Sequence, residues 1–122
     1  MTRHTQRKGD IATAKAIHTF TAMGFDVSVP FTESAAYDLV VDDGEGLRRV
    51  QCKYSTGPEV DLRRIHSNSN GYVVKRTLPK SYDWLYVLRP DGGEFLIREC
   101  HAGRRSITPQ ESHRINPVLR TA

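Results

Sequence analysis

Long apolar runs are missing from this chain, and their absence removes one class of function at once. No stretch approaches the roughly 18 consecutive apolar residues of a membrane-spanning helix, and mean hydropathy is −0.53. The first residues, Met1 to Asp10, are polar and basic with no apolar segment, so a secretory signal is not expected. Cysteine is scarce. The two present, Cys52 and Cys100, sit inside apolar stretches, where buried free thiols are expected before a disulfide or a metal pair. That usage fits a reducing cytoplasm. There is no Cys-x-x-Cys, no Gly-x-Ser-x-Gly and no glycine-rich phosphate loop. His4, His18, His101 and His113 form no metal-ligand spacing. His66, with Asn68 and Asn70 nearby, has no second histidine at a usable distance and is expected in a polar loop.

Acid is also in short supply relative to base. Fourteen Asp and Glu face 18 Lys and Arg, a net charge of +4 with a pI near 9.3. The excess is modest, but its distribution is informative. Adjacent basic residues recur as Arg7-Lys8, Arg48-Arg49, Arg63-Arg64, Lys75-Arg76 and Arg104-Arg105, whereas Asp42-Asp43-Gly44-Glu45 is a concentration of acid. Paired cations spread over a chain of 122 residues point to a polyanionic ligand. That length supports one core, so residues 1–122 are expected to form a single domain.

Within it, Met1 to Lys8 is expected as a loose basic arm. A helix is predicted from Asp10, with Asp10 as N-cap and Gly24 just past the end. Thr13, Ala16, Ile17, Phe20 and Met23 make its apolar stripe at helical spacing. Strands are predicted at Phe25 to Val29, Tyr37 to Val41 and Leu47 to Tyr54. The turn Asp42 to Gly46 makes the last two a hairpin. Val60 to Ile65 and Tyr72 to Thr77 are expected to flank a polar loop, His66 to Gly71. Trp84 to Leu88 and Glu94 to Arg98 form a last hairpin. Residues 104–122 read as a polar tail, with a short helix starting near Pro109. One helix followed by strands gives an α+β (α/β) arrangement around a central mixed sheet.

The chemistry-bearing residues lie on the Asp42–Gly46 hairpin. Strand alternation puts Arg49, Gln51 and Lys53 on one face, and Val50 and Cys52 on the other. If Asp42 pairs near Leu47, Asp38 falls opposite Gln51, with Lys53 on the adjacent diagonal; a one-residue slip would turn Asp38 away. A carboxylate, a carboxamide oxygen and the backbone carbonyl of Cys52 suit a hard cation such as Mg²⁺, with Mn²⁺ as a substitute. Lys53 suits orienting a water or stabilising an attacked phosphate. Trp84, Tyr82 and Tyr86 are expected in the core rather than stacked on bases.

The wider pattern is Lys8-Gly9-Asp10-Ile11 opening the helix, then Gly24-Phe25-Asp26-Val27, Pro30-Phe31, Tyr37-Asp38-Leu39-Val40-Val41-Asp42 and Arg49-Val50-Gln51-Cys52-Lys53. It resembles the PD-(D/E)xK nuclease superfamily. Within that superfamily it is most similar to group I intron-associated homing endonucleases, which carry Gln-x-Lys, and to small Holliday junction resolvases. The resemblance implies a restriction-endonuclease-like core, Mg²⁺-dependent cleavage of duplex or branched DNA, and a homodimer or homotetramer. Asp38 would be the metal-binding aspartate, Gln51 the variant second position and Lys53 the catalytic lysine. Lys8, Arg63, Arg64, Lys75, Arg76, Arg104 and Arg105 would hold DNA, chiefly by its phosphates. One position departs: Thr13 stands where such nucleases often carry a helix glutamate. Glu33 or Asp10 could supply the missing charge. A non-catalytic DNA-binding protein with a degenerate nuclease fold is the competing expectation.

Overall fold

A computed structural model describes residues 2–62, 64–68, 71–75, 81–101 and 103–115, and only the backbone of 2–5, 64–68 and 71–75. One helix, α1 (Thr2–Ala22), precedes β1 (Asp26–Ser28), β2 (Leu39–Asp42) and β3 (Leu47–Tyr54). Then come β4 (Val60–Asp61), β5 (Arg64–Asn68), β6 (Gly71–Lys75), β7 (Trp84–Leu88), β8 (Glu94–Ile97) and β9 (Ser106–Ile107). The central sheet has order β1-β2-β3-β7-β8. Its pairings are antiparallel except β3 against β7, which is parallel. The mixed sheet and N-terminal helix are those of a restriction-endonuclease-like fold.

α1 differs from the expected helix at its start. It runs from Thr2, so residues 2–8 are helical rather than a loose arm, and Asp10 lies in the helix interior rather than at its cap. The far end follows expectation. Gly24 adopts φ +93°, and the amides of Gly24 and Phe25 donate to the carbonyls of Thr21 and Phe20. This pair of bonds closes the last turn in the way only a left-handed residue allows. The buried stripe is Ala12, Ala16, Thr19 and Phe20, rotated slightly from the predicted one. Thr13 and Ile17 are left on its flank.

The sheet is covered on both faces. α1 packs on Leu39, Val41, Val50, Cys52, Trp84, Tyr86, Leu88 and Leu96. On the opposite face Leu85, Val87, Phe95 and Ile97 meet Val60, Leu62, Tyr82 and Ile107. The two-stranded β4–β9 sheet supplies part of that cover. Residues 104–115 are therefore not simply a polar tail: Ile107 and Pro109 are buried, and a 3-10 turn forms at Glu111–His113. The second hairpin is also displaced from its expected position. His66, Ser67 and Asn68 belong to β5 instead of a loop.

Two polar clusters hold the layers in place. Glu94, fully buried at the start of β8, accepts from the Thr19 hydroxyl of α1 at 2.5 Å and from the Tyr86 hydroxyl of β7 at 2.7 Å. Burial, and then the Glu94 acceptor, push the Tyr86 hydroxyl far above its usual range. Asp83, just before β7, clamps the parallel pair. Its amide donates to the Arg49 carbonyl at 2.8 Å, and its carboxylate accepts from the Arg49 amide at 2.8 Å and from the guanidinium at 3.2 and 3.3 Å.

Each cluster makes a prediction. Tyr86→Phe removes one donor from a buried carboxylate and should cost about 2 kcal/mol, measured by urea unfolding; an unchanged midpoint would show that the hydroxyl contributes nothing. The hydrogen bond from Arg49 holds the Asp83 carboxyl below its ordinary 3.8. Its stabilisation is therefore complete above that value and is lost as pH falls through the lowered one. In melts between pH 5 and about 2, Asp83→Asn should lose less stability on acidification than the parent, and parallel curves would exclude the clamp as an acid-labile contact.

Candidate active site

The β2–β3 register is the expected one: Asp42 pairs with Leu47 and Leu39 with Val50. Asp38, one residue before β2, therefore faces Gln51. Its amide donates to the Val50 carbonyl at 2.8 Å, continuing the ladder one step beyond the strand. The carboxylate then turns onto β3. Asp38 Oδ2 accepts from the Cys52 amide at 2.8 Å and from Gln51 Nε2 at 3.3 Å. Lys53 is two residues further along the strand on the same face as Gln51, and both are half-buried. The turn that sets this register is held by Asp43. Its carboxyl lies below its ordinary value, chiefly through the Glu45 amide, and it also pairs with Arg48 at 3.0 Å.

The oxygens at this point suit a hard cation. An amide and a carbonyl of one strand residue point to the same edge, so the Cys52 carbonyl lies on the edge where its amide meets Asp38. With the carboxylate of Asp38 and the carboxamide oxygen of Gln51, the donor set is all oxygen, which fits Mg²⁺ or Mn²⁺ better than a thiophilic metal. Gln51 presents nitrogen to Asp38, and a half-turn of its amide exchanges the two atoms. Among the described residues no group of three His, Cys, Asp or Glu is close enough to bind a metal by itself.

Beside Asp38 a cleft of about 390 Å³ opens between α1 and the loop from Val29 to Asp38. Asp10, Thr13, Ala14 and Ile17 line it from the helix, and Thr32, Glu33, Tyr37 and Asp38 from the loop. Both candidate supplementary carboxylates, Asp10 and Glu33, thus share one cleft with Asp38. Thr13, the residue in place of a helix glutamate, is there too. Its hydroxyl is hydrogen-bonded with the Cys52 thiol, which burial and then the Asp38 charge push well above the usual thiol range. Cys52 is buried and Cys100 half-buried, and both are free.

The remaining basic candidates are dispersed. Lys8, on α1, lies 5.7 Å from the centre of the Tyr54 ring, next to Lys53 in sequence. Arg104 and Arg105 are exposed ahead of β9. Arg64 and Lys75 are register partners in the β5–β6 ribbon, while Arg63 and Arg76 lie outside the described residues. Sequence reasoning missed Asp83 and Glu94. Asp83 directly precedes a strand whose parallel partner lies over thirty residues back, so nothing local announces Arg49 as its mate. Glu94 did carry a signal, as a lone acid opening an apolar strand.

Comparison with known proteins bears on the fold and the family. No curated protein matches the chain. A solved structure described as that of a bacterial homing endonuclease, I-Ssp6803I, superposes with a TM-score of 0.71 at 26% identity, over 88% of this chain and 78% of that one. A family model for PD-(D/E)XK endonucleases matches residues 3–102, a span that contains all of α1 but its first residue, the whole central sheet and the Asp38–Gln51–Lys53 group. The chain belongs to the PD-(D/E)XK endonuclease family.

Proposed function

We propose that this protein is a metal-dependent DNA endonuclease that hydrolyses phosphodiester bonds at Asp38, Gln51 and Lys53. The observation that carries the reading is the meeting of the Asp38 carboxylate with Gln51 and the Cys52 backbone, two residues before a lysine on the same strand face. Asp38, Gln51 and the Cys52 carbonyl would hold Mg²⁺, or Mn²⁺ in its place; Glu33, in the adjoining cleft, would add a second carboxylate. The cation supplies positive charge to the attacked phosphate and acidifies neighbouring water.

The chain's own groups do the rest. Lys53 donates to a non-bridging phosphate oxygen and offsets the charge that grows there as water attacks phosphorus. The attacking water gives up a proton to solvent as its oxygen bonds to phosphorus, the phosphorus–oxygen bond opposite it breaks, and the leaving oxygen takes a proton from solvent. Asp38 is fixed in advance by the Cys52 amide, so little reorganisation of the carboxylate is needed when substrate arrives. Lys8, Arg104 and Arg105, with Arg63, Arg64, Lys75 and Arg76, would grip the DNA backbone. Cutting two strands, in a duplex site or a junction, needs two copies of the site. A homodimer or homotetramer is part of this reading, and exposed Ile11, Val29, Phe31 and Leu47 offer apolar surface for it. The cytoplasm, where DNA and Mg²⁺ meet, is the compartment it implies.

A second reading is a DNA-binding protein with a degenerate site. It is favoured by the neutral side chains of Thr13 and Gln51, which leave Asp38 the one charged group among the proposed ligands Asp38, Gln51 and the Cys52 carbonyl. Incubation with labelled duplex, four-way junction and single-stranded DNA, in Mg²⁺, Mn²⁺ or EDTA, separates the two. Asp38→Ala and Lys53→Ala should each lose cleavage by on the order of 10³-fold while keeping DNA affinity. Cleavage by Asp38→Ala at the parent rate would remove this site from consideration, and binding without cleavage by the parent in either metal would favour the degenerate reading.

Thr13→Glu tests the metal directly. The new carboxylate enters the cleft that holds Asp38, where it repels that charge unless a cation lies between them. The variant should melt below the parent in EDTA and gain more stability from added Mg²⁺. Equal Mg²⁺ shifts for the two proteins would show that no cation is shared at this point.

A further inference from the structure

The side chain of Arg49 is not needed for the clamp in which it takes part. Pinning β3 to the start of β7 uses the backbone of residue 49. Its amide donates to the Asp83 carboxylate at 2.8 Å, and its carbonyl accepts from the Asp83 amide at 2.8 Å. Every residue except proline carries that pair of groups. The guanidinium adds an ion pair whose side chains are 36% and 39% exposed, and pairs so exposed contribute little to stability. Strand pinning therefore leaves the choice of arginine unexplained.

Its placement supplies a reason. Arg49 shares a strand face with Gln51 and Lys53, and it is held in one orientation there. Nε and Nη2 donate to Asp83 at 3.2 and 3.3 Å, and Cζ lies 6.0 Å from the centre of the Tyr37 ring. Tyr37 directly precedes Asp38 and lines the cleft with it. An arginine has five N–H groups, and Asp83 engages Nε and Nη2; Nη1 has no hydrogen-bond partner among the described residues. A guanidinium fixed by a carboxylate and a ring, with donors to spare, is preorganised for a phosphate, which it can meet with parallel N–H groups. Two strand residues span roughly 7 Å, and the phosphates of one DNA strand recur every ~3.4 Å of helix axis. Arg49 thus lies one or two phosphates away from the one that Gln51 and Lys53 would face.

We propose that Arg49 is a substrate-binding residue, which takes a DNA phosphate one or two positions from the attacked one on a guanidinium set in place by Asp83 and Tyr37. The proposal rests on the reading of Asp38, Gln51 and Lys53 as the place of phosphodiester hydrolysis. It adds the register of the substrate strand. A phosphate gripped at Arg49 determines which phosphate comes to rest at Lys53. Because Arg49 and Lys53 belong to one strand, the distance between the gripped and the attacked phosphate is set by the rise of β3 rather than by a loop. Asp83 then has two effects: its backbone and carboxylate pin the strand, and its hold on the guanidinium aims the grip.

Two measurements on the full-length protein test this. In EDTA, on a short mixed-sequence duplex, Arg49→Gln should bind about tenfold more weakly with a salt slope lower by about 0.9. Arg49→Lys keeps the charge and loses the fork, so it should keep the slope and recover only part of the affinity. A residue that served the sheet alone would lower the melting temperature and leave the slope unchanged. The second measurement locates the phosphate. Duplexes carry one uncharged methylphosphonate at each position around the bond the parent cuts, and cutting in Mg²⁺ is followed at subsaturating protein. One substitution, one or two phosphates from that bond, should slow the parent about tenfold. The same substitution should not slow Arg49→Gln further, while other positions affect both proteins alike. If Arg49→Gln does not fold, Arg49→Lys replaces it, with a smaller penalty expected at that position alone. An unchanged slope in folded Arg49→Gln, a parent with no sensitive neighbouring phosphate, or a variant as sensitive as the parent would each overturn the proposal and leave hydrolysis at Asp38 standing. A parent that cuts nothing in Mg²⁺ or Mn²⁺, with the slope lowered in Arg49→Gln, would instead sink the hydrolytic reading and keep Arg49 as a phosphate contact.

Discussion

Strand β3 serves two masters, and the rest of the structure depends on its alternation being kept in phase. Its eight residues lie between β2 and β7, at the centre of the sheet. Val50 and Cys52 are turned toward α1, and Arg49, Gln51 and Lys53 toward the opposite face. A slip of one residue would bury two cations and a carboxamide under the helix and take the apolar pair out of its contact with α1, at a cost of several kcal/mol. The register that fills the core is thus the same register that sets Asp38 against Gln51. Core packing and site assembly are one constraint.

The phase is pinned from both sides by side chains outside the Asp38–Gln51–Lys53 group. On the β2 side, Asp43 folds the turn by accepting from the amides of Glu45 and Gly46. On the β7 side, Asp83 takes over the Arg49 amide and guanidinium. Arg49 is one residue before the core valine and two before Gln51, so the clamp fixes the strand at the point where the site begins. Across the helix layer, Glu94 ties α1 to β7 and β8. That bond also fixes the roll of α1, and with it the flank on which Thr13 meets Cys52.

What is legible in the amino-acid sequence is local and periodic. The Asp42–Gly46 turn and the two-residue alternation on either side are enough to set the β2–β3 register. The glycine at position 24 marks the end of α1 for a steric reason. The start of α1 is not legible, because the polar stretch from Thr2 to Gly9 has no apolar face and a glycine near its end. Its helicity is an extension of a helix whose packing lies further on. β9 escapes notice for a different reason. Two residues with one buried side chain carry no periodicity, and they form a strand only because β4 offers an edge. The Asp83 clamp belongs to the same class. Residues that pair across a parallel crossover have no sequence signature, whereas hairpin partners do.

The charge inventory of the site has a mechanistic consequence on the proposed reading. With threonine on the helix and glutamine on the strand, Asp38 brings one negative charge and Lys53 returns one positive. Such a site attracts a dication far less than one with two or three carboxylates, since each missing charge at about 4 Å removes several kcal/mol even at an effective dielectric near 20. The missing negative charge is one the substrate carries. A phosphate seated beside Asp38 and Lys53 would restore the balance, so metal and DNA would bind cooperatively. By linkage, each would raise the affinity of the other by the same factor. Asp10 and Glu33, which share the adjoining cleft, set how far that dependence goes, because a carboxylate drawn toward the cation would partly uncouple it from DNA. On the proposed reading a neutral second ligand would shift control of the metal from the protein to its substrate, which would suit a nuclease that must not cut until its target is in place.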